Sequence, residues 1–147
     1  MATSVMNSIS ARNQINGTVS DIQSGTAMTV VTVSANGHTL VSAITSQAAK
    51  ELGLKKNDSV TALVKSTEAI IAKGDAGAMK ISARNKVSGR VTDIQKGSAM
   101  ASITLDAGQL KITSAVTRQA VDDLQLTQGD QVTAFFKSTE VILQKAA

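Results

Sequence analysis

Apolar and polar positions alternate along much of the chain with the period of two that marks a half-buried strand. Turn residues interrupt the alternation at short, regular intervals. Residues 15–23 carry Ile15, Gly17, Val19 and Asp21 in alternation with polar neighbours, and Ser24-Gly25 ends the run. Residues 27–34 form a second run rich in Val and Thr. Asn36-Gly37 follows, a strong type I′ hairpin signal, and predicts a third strand over 39–45. The period then changes. Ala48, Ala49 and Leu52 have helical spacing, Thr45 or Ser46 can cap the start, and Gly53 suits the C′ position. Lys56-Asn57-Asp58 predicts a turn, and 59–65 and 67–72 complete the strands. Five short strands with one helix after the third is the pattern of an OB-like barrel.

The whole pattern then occurs again. Ser10-Ala11-Arg12-Asn13 returns as Ser82-Ala83-Arg84-Asn85, and Lys65-Ser66-Thr67-Glu68 as Lys137-Ser138-Thr139-Glu140, both at an offset of 72. Gly17, Asp21-Ile22-Gln23, Gly25 and Ala27-Met28 keep the same register with Gly89, Asp93-Ile94-Gln95, Gly97 and Ala99-Met100. About half of the paired positions are identical, far above chance for unrelated segments. The expectation is two tandem domains, 9–73 and 78–147, joined by Gly74-Asp75-Ala76-Gly77. The fold class is all-β with one short helix per domain, as two tandem OB-like five-stranded β-barrels. Some positions differ between copies: Gly53 becomes Gln125, which weakens the second helix cap, and Asn36-Gly37 becomes Gly108-Gln109.

Composition narrows the function. Phe135 and Phe136 are the only aromatic residues, so the core rests on aliphatic side chains. Small aliphatic domains are marginal alone, which points to oligomerisation. The net charge of +4 suits an anionic partner but is spread rather than clustered. There is no Cys and a single His, so disulfides and multi-His metal centres are excluded within one chain. Met1 to Ser8 lacks the basic and apolar regions of a signal peptide and reads as a loose leader. No apolar run approaches a membrane span, and the expected compartment is the cytoplasm.

Catalysis finds no foothold. His38 lies in a hairpin turn and becomes Leu110 in the second copy. Asp21 and Asp93 precede turns, whose backbone groups they can satisfy. There is no phosphate-binding Gly-Lys-Ser/Thr loop. The repeated polar blocks are more telling. Each sets a cation beside hydroxyl or amide donors, the set a tetrahedral dianion needs: Arg as a fork, Lys as a point charge, Ser and backbone N–H as neutral donors. Taken singly, Arg12 and Lys65 would read as surface charges flanking turns. Their persistence in the second copy lowers the weight of that reading. The helix starts near Thr45 and Thr117 add unpaired N–H groups.

Ser-Ala-Arg-Asn near the start, Gly-x-Val shortly after, Ala-x-Thr before a short helix and Lys-Ser-Thr-Glu-x-Ile at the end together resemble the Mop domain. That is the molybdate-binding domain of molbindins, related to the TOBE domains of molybdate transport ATPases and molybdate-responsive regulators. The tandem form resembles a di-Mop molbindin. The resemblance implies a non-enzyme with no catalytic cofactor, binding molybdate or tungstate in pockets between subunits or domains for storage or homeostasis. It implies a homo-oligomer, a trimer in tandem members, acting without nucleic acid or membrane. The implied pocket residues are Ser10, Ala11, Arg12, Lys65 and Ser66, with Thr45 arriving from a neighbour. The second pocket would use Ser82, Ala83, Arg84, Lys137, Ser138 and Thr117. A second class of site near the oligomer axis would fall at the turns 25–28 and 97–100. Ala48 and Ala120 stand where some relatives carry a hydroxyl, so either one donor is missing or a backbone N–H replaces it.

Two rival readings remain. One is a ligand-sensing piece of a regulator or transport ATPase. No helix-turn-helix or ATPase motif precedes the repeats and Met1 lies almost at the first one, which favours a free-standing protein. The other is an OB-type single-stranded nucleic-acid binder, disfavoured because stacking platforms need exposed aromatic rings.

Overall fold

A computed structural model describes residues 9–145; the expected leader, 1–8, lies outside them. The first repeat supplies β1 (Asn13–Ser24), β2 (Met28–Ala35), β3 (His38–Thr45), α1 (Ser46–Leu52), β4 (Ser59–Val64) and β5 (Ile70–Lys73). The second supplies β6 (Asn85–Lys96), β7 (Met100–Asp106), β8 (Lys111–Thr117), α2 (Arg118–Leu124), β9 (Gln131–Phe136) and β10 (Ile142–Lys145). A 3₁₀ turn, Ser66–Glu68 or Ser138–Glu140, separates the last two strands of each repeat, so these segments are helical where strand was expected.

Local chemistry explains the elements. Asn36 and Gly37 both take positive φ, 50° and 83°, as a type I′ turn requires. Thr45 caps α1, its Oγ1 accepting from the Ala48 N–H at 3.1 Å, and Gly53 closes it in the left-handed conformation. Thr117 repeats the cap on α2, and Gln125 takes the left-handed position despite its side chain, with φ 51°. Asp21 and Asp93 lie within long strands just after a bulge, upstream of the turns they precede. There β1 crosses close over β2, where a Cβ on Gly17 would lie 2.6 Å from the Ser34 carbonyl oxygen.

The sheets do not follow the repeats. One runs β10-β4-β1-β2-β3 and the other β5-β9-β6-β7-β8. Each repeat gives its last strand to the sheet of the other, in antiparallel register with Ile142 opposite Leu63 and Ile70 opposite Phe135. Each sheet is five-stranded, matching the OB-like pattern, but neither is made from one contiguous segment. One apolar core runs through both, from Ile15, Val19, Val31 and Val64 to Val87, Ile103, Ile112 and Phe136.

Polar contacts latch the exchanged strands. Lys73 Nζ donates to the Leu124 and Gln125 carbonyls at the end of α2 and pairs with Asp130 at 3.7 Å. Lys145 does the same to the Gly53 carbonyl and to Asp58 at 3.3 Å. A lysine at a helix C-terminus meets its unpaired carbonyls and negative dipole end. Both carboxyls are held below their ordinary value. The backbone N–H of Lys55 on Asp58 and of Thr127 on Asp130 is the main cause, and the lysines add to it.

Candidate functional site

The first rung of the β1–β4 ladder pairs Asn13 with Val64. Ser10-Ala11-Arg12 therefore approaches, and Lys65-Ser66 leaves, at the same end of two neighbouring strands, about 5 Å apart. Asn85 opposite Phe136 does the same for Ser82-Ala83-Arg84 and Lys137-Ser138. So the structure groups the cations as the repeat suggested, one Arg and one Lys per cluster.

Both clusters lie at the surface. Ser10, Arg12 and Lys65 are exposed, as are Ser82, Arg84 and Lys137, while Ser66 and Ser138 are half-buried. Among the described residues Arg12 Nε reaches the Ser10 carbonyl, at 3.4 Å, and Arg84 folds back on the Ser82 and Ile81 carbonyls. Among the described residues the ion pairs belong to Lys73, Lys96, Arg118 and Lys145, and no carboxylate meets Arg12, Lys65, Arg84 or Lys137. Two like charges at adjoining strand ends repel each other, and a dianion between them would remove that cost. The 3₁₀ turn after each Lys leaves its first N–H groups without partners inside the turn, which adds neutral donors. Ala11 and Ala83 are 5 % and 4 % exposed, so each turns its side chain inward and offers only backbone.

Thr45 and Thr117 are placed differently. Thr45 borders a depression of about 450 Å³ with Thr26, Ala27, Ser46, Gln47, Lys50 and Glu51, and no cluster residue lines it. This depression includes part of the turn suspected of a second site class. Each Thr oxygen already accepts the cap bond, although its O–H can still donate. The N–H groups of Ala48 and Ala120 are spent on these caps and do not replace the absent hydroxyl. α1 and α2 have only seven residues each, so their dipoles are small. Two other depressions, lined by residues such as Asn16, Ser34, Thr61, Gln109 and Lys111, contain no cluster residue.

Sequence reasoning missed the residues that hold the clusters in place. Asn13, counted among the anion donors by type, has both amide atoms committed. Its Nδ2 donates to the Thr113 carbonyl at 2.8 Å and its Oδ1 accepts from the Thr113 N–H at 2.7 Å. Asn85 makes the same two bonds to Val41. The next residue on each strand adds a third: Ser114 Oγ donates to the Ala69 carbonyl and Ser42 Oγ to the Val141 carbonyl. All four side chains are buried. Thus β8 of the second repeat flanks the first cluster and β3 of the first repeat flanks the second. The available signal was that Asn13, Ser42, Asn85 and Ser114 keep the offset of 72. His38, expected to be solvated, is half-buried with Nε2 2.9 Å from the Ala107 carbonyl oxygen, and so also joins the repeats.

Comparison with known proteins adds a family. The TOBE domain model matches twice, at residues 9–71 and 81–143. The chain is 36 % identical over 137 residues to the molybdenum-pterin-binding protein MopA of Rhodobacter capsulatus, covering 91 % of this chain and 50 % of that protein. The molybdenum transport protein ModE of Herbaspirillum seropedicae is also 36 % identical over 137 residues, with 91 % and 50 % covered. The chain thus spans about half the length of these curated relatives. A single repeat aligns with nearly all of the molybdenum-pterin-binding protein 1 of Clostridium pasteurianum, 41 % identical over 66 residues, 44 % of this chain and 97 % of that one. Among solved structures, the cytoplasmic molybdate-binding protein ModG with molybdate bound superimposes with a TM-score of 0.87. It is 35 % identical, over 92 % of this chain and 96 % of that one.

Proposed function

The chain belongs to the TOBE-domain family, and from that premise we propose that it binds molybdate, and tungstate with it, as an intracellular oxyanion store or buffer. The observation that carries the reading is the grouping of Arg12 with Lys65 and of Arg84 with Lys137 at adjoining strand ends, repeated in both copies beside Ser residues. Like charges brought to adjoining strand ends repel each other. A tetrahedral dianion supplies the missing partner, bound by charge-assisted bonds from Arg and Lys and by Ser hydroxyls and N–H groups. The proposed pocket residues are Ser10, Arg12, Lys65 and Ser66, and Ser82, Arg84, Lys137 and Ser138, with Ala11 and Ala83 contributing backbone alone. Similarity to the molybdate-bound ModG structure supports the choice of anion. A pocket sized for molybdate discriminates against sulfate, whose oxygens lie closer to its centre and out of hydrogen-bonding reach.

The reading includes assembly. The clusters are exposed on one side, so donors from a second copy can complete them, and Thr45 and Thr117 are the candidates. Exposed apolar residues recur in both repeats, Met28 with Met100 and Ile70 with Ile142, all between 44 % and 57 % exposed. We read these as faces buried in a homotrimer located in the cytoplasm. The role as binding protein rather than enzyme agrees with the names of the relatives. A second reading, the ligand-sensing part of a longer transport or regulatory protein, draws on the match to half of ModE. The experiment is elemental analysis of the chain purified from molybdate-containing medium. Molybdenum retained in stoichiometric amount through gel filtration supports the proposal, and its absence refutes it.

A further inference from the structure

We propose that Asn13 and Asn85 are positioning residues, each holding a cation cluster of one repeat against an edge strand of the other, so that each anion site is built from both repeats. The inference rests on the oxyanion-binding reading and deepens it. Asn13 directly follows Arg12 in the chain and is 3 % exposed; Asn85 directly follows Arg84 and is fully buried. Each side-chain amide acts as a peptide group. It donates to and accepts from one residue of the edge strand, adding a rung to β8 or β3 from across the repeat boundary. Ser114 and Ser42, next along those strands, bond to the carbonyls of Ala69 and Val141, which directly follow the Ser66–Glu68 and Ser138–Glu140 turns. Two consecutive residues of one strand therefore grip both halves of a cluster, the Arg side and the Lys–Ser side.

Buried and bonded through both Oδ1 and Nδ2 to the edge strand, the Asn side chain is turned from the exposed cluster and acts through the backbone of the Arg beside it. Simple adhesion between repeats explains this less well. Some other inter-repeat contacts were not kept on duplication: His38 to Ala107 and Asn36 to Gln109 have only Leu110 and Gly108 at the matching positions. The contacts kept in both copies are the Lys73 and Lys145 latches at the exchanged strands, the Ser42 and Ser114 bonds behind the 3₁₀ turns, and the Asn13 and Asn85 rungs, and of these the Asn rungs adjoin Arg12 and Arg84. A buried amide stripped of its partners is costly, so the register of the cluster against the strand is tightly held.

The test isolates one site. In the full chain carrying Arg84→Ala and Lys137→Ala, only the first cluster remains to bind sodium molybdate in a calorimetric titration. Adding Asn13→Ala is expected to weaken that binding by tenfold or more, whereas adding Asn85→Ala changes it less than twofold. Each addition removes an equivalent pair of hydrogen bonds, to Thr113 or to Val41, and should lower the apo melting temperature alike, so affinity separates where stability does not. Equal losses of affinity, or none from Asn13→Ala, would overturn the inference. If Asn13→Ala does not fold, Asn13→Asp, which keeps the acceptor for the Thr113 N–H, is judged by the same two criteria. A wild-type chain that takes up no molybdate overturns the oxyanion reading itself. Normal wild-type uptake with equal losses overturns only the positioning role.

Discussion

In the first repeat the helix start is held from beneath: Ser46 is buried, donates to the Gly25 carbonyl at 2.7 Å and shares a 2.9 Å bond with Thr29. In the second repeat Arg118 and Ala101 occupy those two positions. Arg118 is exposed, meets the Gly97 carbonyl at 3.4 Å and pairs with Asp122 at 3.8 Å. The cores differ in the same way, with Leu63-Val64 in one repeat and Phe135-Phe136 in the other. Across these changes the cations, the Asn rungs and the Lys latches are the same in both. Each repeat was able to change how it holds its own helix, because that bond lies within the repeat. The Asn rungs and the Lys latches cross between repeats, are reciprocal and are constrained from both sides, whereas the one-sided His38 and Asn36 contacts lie at a hairpin turn that itself changed.

The largest expected effect lies in the core. Phe136→Ala should cost about 3–5 kcal/mol, since a ring 1 % exposed leaves a cavity at the centre of the shared core. Val64→Ala, at the matching place in the first repeat, removes less volume and should cost clearly less. Urea unfolding followed by circular dichroism compares them, and because the core is continuous each variant should still unfold in one transition. Separate transitions for the two repeats would break the claim that the strand exchange joins them.

Helix anchoring should differ in the opposite sense. Ser46→Ala leaves the Thr29 hydroxyl and the Gly25 carbonyl unpaired and should cost about 1–3 kcal/mol. Arg118→Ala removes only exposed contacts and should stay within about 0.5 kcal/mol. Thermal melts of the two variants would invert the comparison if Arg118 proved the more damaging. Smaller still, Gln125→Gly should raise stability by about 0.5–1 kcal/mol by relieving a left-handed side-chain residue, provided the entropy Gly adds to the unfolded chain does not cancel it. Gly53→Gln should do the reverse.

The latches give a pH dependence of known sign. Asp58 and Asp130 have carboxyl pKa values below 3.8 in the folded chain, so their contribution is fully present above that value and is lost as pH falls through the lower, folded one. Melting temperature should thus be insensitive to these groups between about pH 5 and 8 and decline below about pH 4. Asp58→Asn with Asp130→Asn should flatten part of that acid decline.

Much of the fold was legible in the sequence, and particular residues show why. Asn36-Gly37, the Thr45 cap and Gly53 each act through their own few neighbours, so local chemistry reveals them. The strand exchange does not show, because β5 and β10 carry the same pattern whichever sheet receives them: Ile70, Ile71 and Lys73 match Ile142, Leu143 and Lys145. A strand's alternation says which face is buried and not which neighbour it pairs with. The cations of the site were legible from their repetition. Asn13 was legible as a polar residue in the right block, but its role depends on Thr113, a hundred residues away, and no local signal carries that. Thr45 was recognisable as a cap, whereas its expected place beside the cations depends on a second copy of the chain.

The central claim, that the paired Arg and Lys of each cluster hold a tetrahedral dianion, is tested most directly by calorimetric titration of molybdate, with sulfate in parallel. The wild-type chain is set against the chain carrying both Lys65→Ala and Lys137→Ala. Losing one charge-assisted bond at each site should cost about 1.5–3 kcal/mol, roughly tenfold to a hundredfold in affinity. The apo melting temperature should be unchanged or slightly higher, since a repelling charge has been removed from each cluster. The account predicts tight molybdate binding and little sulfate binding by the wild type, with molybdate binding largely lost in the double variant. Undiminished molybdate binding by a folded double variant, or sulfate bound by the wild type as tightly as molybdate, would contradict it.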